Sequence, residues 1–139
     1  MKHINVGLIG FGTVGSGLAE VLLAQQERLQ QRSGLSIRLA KVADISISEL
    51  PTRFAGTVLT DDAGELIKDP DINIVVELIG GIQPAKTFVL DAIAAGKHVV
   101  TANKALLSQE GREIFAAAAA KGVEVGFEAS VGGGIPLIK

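Results

Sequence analysis

The order of apolar and polar positions divides the chain into short runs that alternate between strand-like and helix-like patterns. Ile4 to Ile9 is a nearly continuous apolar run closed by Gly10, too short for a helix and suited to a strand buried on both faces. From Thr13 to about Arg32 the apolar residues Val14, Leu18, Val21, Leu22 and Leu29 recur at helical spacing, and Ser33-Gly34 supplies a C-terminal stop. Ser36 to Ala43 predicts a second strand with Asp44 at its carboxyl end, and Thr57 to Leu59 a short third. Asp61-Asp62 open a short helix to about Ile67, ahead of the turn Asp69-Pro70-Asp71. Ile74 to Ile79 predicts a strand running into Gly80-Gly81, Pro84 to Ala95 an amphipathic helix closed by Gly96, and His98 to Thr101 another strand. Gln109 to Lys121 predicts the next helix, stopped by Gly122, and Val123 to Phe127 a last strand. Gly132-Gly133-Gly134 then lead into an incipient helix with Pro136 suited to its first turn.

Strands that alternate with helices throughout predict an α/β fold, a Rossmann-type doubly wound parallel sheet with right-handed crossovers. The 139 residues suit one domain, residues 1–139, and the unfinished helix at Ile135 to Lys139 reads as a single domain truncated at its C-terminal helix. Hydrophobic residues make up 47% of the chain, which a parallel sheet covered on both faces explains in large part. Apolar surface meant to meet a further part of the polypeptide would explain the rest. Thirteen basic against fifteen acidic side chains, a net charge of −2 and no polybasic run argue against a nucleic-acid partner. No stretch approaches the ~20 apolar residues that cross a bilayer, and no charged leader precedes the first strand, so a soluble protein with no membrane partner is expected. Cysteine is absent, which excludes disulfides, thiolate zinc sites and a cysteine nucleophile and is consistent with a cytoplasmic location.

Candidate chemistry gathers at the strand ends. Gly10, Gly12 and Gly15 lie between a predicted strand and a predicted helix, the context in which such a triplet binds a dinucleotide pyrophosphate. Gly10 permits the tight turn, Gly12 lets the phosphates approach the backbone, and Gly15 allows close helix packing, with helix-start amides facing the anion. Asp44, at the end of the second strand, is the candidate for the ribose hydroxyls. It would repel a 2′-phosphate, and no Arg or Lys follows it from Ile45 to Ser48, so NAD is favoured over NADP, although Ser46 and Ser48 could serve a phosphate. Gly80 and the run Thr101-Ala102-Asn103-Lys104 should share the same carboxyl edge. There Lys104 could donate a hydrogen bond to a substrate carbonyl and stabilise the alkoxide that forms or is consumed at hydride transfer. His3 and His98 lie at the wrong ends of their strands for catalysis, and no side-chain metal cluster is visible.

Val6 to Gly15 (VGLIGFGTVG), Val75 to Gly81 (VVELIGG), Gly96 to Lys104 (GKHVVTANK) and Phe127 to Pro136 (FEASVGGGIP) occur in one order across nearly the whole chain, and together they resemble homoserine dehydrogenase. The resemblance implies reversible reduction of L-aspartate 4-semialdehyde to L-homoserine with NAD or NADP, in the branch toward threonine and methionine. By motif it implies that Phe11, Thr13 and Val14 line the cofactor and that Lys104, after Asn103, faces nicotinamide and substrate. It also implies a monovalent-cation loop, with Glu128, Val131, Gly133 and Ile135 giving oxygen ligands to sodium, largely through backbone carbonyls. Some family members carry Arg before the acid of the second strand; here the pair is Ala43-Asp44. The family's enzymes continue beyond 139 residues into a substrate-binding and dimerising region, so the resemblance implies an isolated cofactor domain, inactive alone, of a homodimeric parent.

Two other readings stay open on the residues. A related oxidoreductase group also ends a strand with Gly-Lys-His before a Lys-bearing turn, but shows Glu-Lys-Pro where this chain has Asn103-Lys104-Ala105. A non-catalytic Rossmann module that senses nucleotide would share the first glycine turn, yet has no use for a lysine beside the nicotinamide or a cation loop near it.

Overall fold

β-Branched side chains suit a pleated surface, and where both faces of a sheet are covered they line strands continuously. The computed structural model describes residues 2–127 and places these runs in one six-stranded sheet. In chain order the strands are β1 (Lys2–Ile9), β2 (Leu35–Ala43), β3 (Val58–Thr60), β4 (Ile74–Glu77), β5 (His98–Thr101) and β6 (Val125–Phe127). Every neighbouring pair is parallel, and the order across the sheet is β3-β2-β1-β4-β5-β6. The chain therefore winds outward from β1 in one direction, returns to the centre at β4, and winds outward in the other. The reversal opens a crevice beyond the carboxyl ends of β1 and β4, the place where open α/β sheets bind ligands.

Five α-helices connect the strands: α1 (Thr13–Ala24), α2 (Gln26–Ser33), α3 (Ala63–Lys68), α4 (Ala85–Ala94) and α5 (Lys104–Lys121). Successive strand residues point to opposite faces. Val6, Leu8, Val76 and Val100 pack with Leu18 and Leu22 of α1 and with Phe54 from a short 3₁₀ turn. Ile9, Val75 and Val99 pack with Leu66 of α3, Val89 of α4 and Ile114 of α5 on the other side. Two cores share one sheet, which accounts for much of the apolar composition. At the amino edge of β4 and β5, the buried Lys97 ammonium donates to the carbonyls of Asp69 and Ile72, both at 2.7 Å. Burial holds the Lys97 pKa below the ordinary lysine value.

Strands β1, β3 and β6 start one or two residues from their expected positions, and three further differences each have a local reason. The first helix breaks at Gln25, whose φ of −101° and ψ of 11° end α1 and start α2. Its buried stripe of Gly15, Leu18, Ala19 and Leu22 lies wholly in α1, whereas α2 has no buried residue. β4 stops at Glu77 instead of Ile79, because the Glu77 carboxylate accepts the amides of Ile79 and Gly80 and turns the chain. α5 starts at Lys104 and not at Gln109, since the Asn103 side chain caps it by accepting from the Leu106 amide at 3.0 Å. Lys104 is thus the first residue of a helix. The glycine loop from Gly132 and the incipient helix after it lie outside the described residues.

Candidate functional site

The glycine turn joins β1 to α1, and its three glycines answer to different constraints. Gly10 has a φ of 102°, in the left-handed region, and its amide donates to the Ala43 carbonyl at 2.9 Å, which ties the turn to the end of β2. A Cβ on Gly15 would lie 1.9 Å from the Gly10 carbonyl oxygen, so only glycine lets α1 pass so close to the turn. Gly12 has φ −78° and ψ −155°, open to any residue, and a Cβ there would meet no protein atom within 4 Å. Neither strain nor packing requires glycine at that point. Open space in front of bare backbone is what a passing phosphate needs. Gly12 also brings no side-chain cap to α1, so the first-turn amides face whatever lies before them.

Asp44 belongs to the same turn. Its Oδ2 accepts from the Phe11 amide and its Oδ1 from the Ser46 amide, both at 2.7 Å. The Phe11 ring packs edge-on against Phe54, with centroids 5.9 Å apart, and braces the turn from the α1 face. In front of these residues lies a cleft of about 510 Å³ whose walls include Gly10, Gly12, Asp44, Asp61, Ile79 and Phe88. That volume suits a small-molecule ligand. Among the described residues, the lining holds two aspartates and no lysine or arginine. Ile45, 87% exposed, and Ile79, 40% exposed, stand in the lining as uncovered apolar groups.

A second hollow of about 180 Å³ shares Leu78 and Gly80 with the first and adds Val14, Glu77, Ala102 and Asn103. It opens where the β4–β5 ladder ends, at the register pair Glu77↔Thr101. Past that pair, side chains take over the backbone partners that the ladder no longer provides. Glu77 Oε2 accepts from Ile79 N at 2.9 Å and Gly80 N at 3.3 Å. The Thr101 hydroxyl donates to Glu77 Oε1 at 2.5 Å and accepts from Asn103 N at 3.0 Å. Asn103 Nδ2 donates to the Gly81 carbonyl. Lys104 follows directly, exposed at the start of α5, with its charge at the positive end of that helix's dipole.

The fold therefore brings Gly10, Gly12, Val14, Asp44, Gly80 and Asn103 to two adjoining hollows, although the first and last are 93 positions apart in the chain. Gly15 sits behind the turn, and Thr13 opens α1 beside it. Thr101 is fully buried and its hydroxyl is occupied on both sides by protein groups. Asp61, Ile45 and Glu77 were not picked out as site residues; a lone acid inside Ile-Val-Val-Glu-Leu-Ile was the signal for the last of them. Glu128, Val131, Gly133 and Ile135 lie outside the described residues. Among the described residues there is no cluster of three or more His, Asp or Glu able to hold a metal, and no helix is long and apolar enough to cross a membrane.

Residues 10–128, from the glycine turn to just past β6, match the family described as homoserine dehydrogenase, NAD binding domain. The chain belongs to that family. It is 46% identical over 139 residues to the homoserine dehydrogenase of Neisseria gonorrhoeae, with all of this chain and 32% of that protein covered. The crystal structure of a homoserine dehydrogenase from Thiobacillus denitrificans superposes with a TM-score of 0.82 at 50% identity, over 94% of this chain and 30% of that one. A protein of gentamicin A biosynthesis, solved in complex with NAD, is 26% identical with a TM-score of 0.76, over 92% of this chain and 35% of that one. The chain thus spans about a third of the length of the homoserine dehydrogenases it matches.

Proposed function

We propose that this chain is the cofactor domain of an enzyme that interconverts L-homoserine and L-aspartate 4-semialdehyde, and that it binds NAD in preference to NADP. The observation that carries the reading is the cleft at the β1–β4 switch point, with Gly12 bare before open space and the first turn of α1 behind it. A pyrophosphate against Gly12 and the α1 amides directs the adenosine toward Asp44 and the nicotinamide toward the smaller hollow beside Lys104. When bound there, the nicotinamide carries the hydride. Around it, Gly10, Phe11, Gly12, Thr13, Val14 and Gly15 form the turn, while Gly80, Thr101 and Asn103 shape the far wall. Thr101 does so through buried hydrogen bonds.

Two carboxylates and, among the described residues, no cation in the lining of the larger cleft favour NAD, because a 2′-phosphate near Asp44 and Asp61 would meet like charge. Each Asp44 oxygen accepts one backbone amide and keeps a lone pair for a ribose hydroxyl. Lys104 is assigned the polarisation of the substrate carbonyl, its ammonium donating toward the oxygen on which negative charge develops. The rest of the reading rests on family likeness: substrate groups and a dimer interface from a region beyond residue 139, a sodium loop at Glu128, Val131, Gly133 and Ile135, a place in threonine and methionine synthesis, and a cytoplasmic setting.

Calorimetric titration of this chain with NAD and with NADP tests the reading, with NAD expected to bind more tightly. Asp44→Ala frees the Phe11 and Ser46 amides as well as the ribose site, so both affinities should fall. The ratio of the two is the decisive quantity, and it should shift toward NADP. An unchanged ratio would take Asp44 out of cofactor choice, and no binding of either dinucleotide would sink the assignment. Joined to the region its relatives carry, a Lys104→Ala enzyme should lose turnover by about 100-fold or more with little change in cofactor affinity.

A further inference from the structure

Glu77 is the only polar residue of β4 and is fully buried among core side chains, yet the reading above gives it no task. A buried carboxylate costs free energy unless hydrogen bonds replace its water, and an apolar residue would continue the strand without that cost. Three hydrogen bonds meet the need here, from Ile79 N, Gly80 N and Thr101 Oγ1. Their directions matter. Two reach the turn after β4, where Gly80 and Gly81 have φ of 76° and 74°. The third reaches the turn after β5, where Thr101 holds Asn103, and Asn103 both caps α5 and grips Gly81. The two sides of the smaller hollow, Gly80 on one and Ala102-Asn103 on the other, are therefore joined through one carboxylate just where the ladder stops joining them.

Resting on the dinucleotide reading of the cleft, we propose that Glu77 is a positioning residue for the nicotinamide end. Through Thr101 it sets the separation between the Gly80 turn and the start of α5, so that the ring and Lys104 meet in one geometry. The adenosine end keeps its own bonds, Gly10 N to the Ala43 carbonyl and the Phe11 and Ser46 amides to Asp44, and none of them passes through Thr101.

The test uses this chain with two probes: ADP, which reports the adenosine end alone, and NADH, whose emission reports how its dihydronicotinamide ring is held. Thr101→Val removes the hydroxyl link at constant shape and leaves Glu77 its two amides. It should change ADP affinity by less than about twofold, as expected for separate sites, while losing most of the emission enhancement at saturating NADH. Thr101→Ser, which keeps the hydroxyl, should restore it. Should Thr101→Val fail to fold, Thr101→Ala replaces it: the smaller side chain removes the same hydroxyl and leaves Glu77 its two amides. Full enhancement in the folded variant, or ADP affinity falling in step with it, would overturn the positioning role. Failure of the unaltered chain to bind either probe would instead remove the dinucleotide reading, and this inference with it.

Discussion

Gly12 and Gly15 stand in one turn, yet a methyl group added to each meets opposite surroundings. At Gly12 it points into open space from a backbone any residue can adopt. Gly12→Ala should therefore alter stability by less than about 1 kcal/mol, while a bound phosphate would feel the added carbon and dinucleotide affinity should drop about tenfold or more. At Gly15 the carbon would sit 1.9 Å from the Gly10 carbonyl oxygen. Gly15→Ala must push α1 off the turn and should cost about 3 kcal/mol or more, with binding lost as a consequence. Thermal melts beside calorimetry separate the two cases. A Gly12→Ala chain that binds as before would place the phosphates elsewhere, and a Gly15→Ala chain as stable as its parent would mean the turn yields freely. Gly10 was readable as a turn glycine because its φ of 102° needs no distant partner. Gly12 was readable from its spacing as the glycine that phosphates pass, and the structure adds that no protein atom lies within 4 Å of where its Cβ would stand.

Where a helix begins decides where its first residue points. The sequence pattern places the last long helix from Gln109 to Lys121. Asn103 settles it otherwise by accepting from the Leu106 amide while Leu106 itself is fully buried. Asn103→Ala removes the cap and the bond to Gly81 together and should destabilise the chain by about 1–2 kcal/mol. Asn103→Asp keeps the cap and should recover about half of that loss. Denaturant unfolding of both variants checks this, and equal losses in the two would mean that the cap contributes little. The break between α1 and α2 has the same character. The helical period runs on through Gln25, but the buried residues end at Leu22, and α1 stops at Ala24 soon after burial ceases to hold it.

Across the sheet from the cleft, stability depends on pH through Asp69. Lys41 lies 2.9 Å from its carboxylate and the Asp71 amide bonds it as well; these two, with the lysine bond the stronger influence, hold its pKa below the ordinary 3.8. A carboxylate with a lowered folded pKa stabilises fully above its unfolded value, and that contribution fades as pH falls through the lowered one. Asp69→Asn should thus be less stable than the parent by about 1 kcal/mol at neutral pH, and the gap should close in strong acid. Melting temperatures measured against pH would show it, and a constant gap at every pH would exclude the ionic origin. By itself the sequence determined the alternation of strands and helices, the doubly wound class, the glycine turn and the acid after β2, because each depends on neighbours a few residues away: period, length, or a backbone that only glycine adopts. It also carried the family likeness that the comparisons bear out. Only the tertiary structure decided that Glu77 and Thr101 stand side by side, that Asp44 spends one bond on the Phe11 amide, and that Ile45 and Asp61 join the cleft. Those pairings arise from register between strands distant in the chain, and a pattern along one strand carries no record of what its neighbour places opposite it.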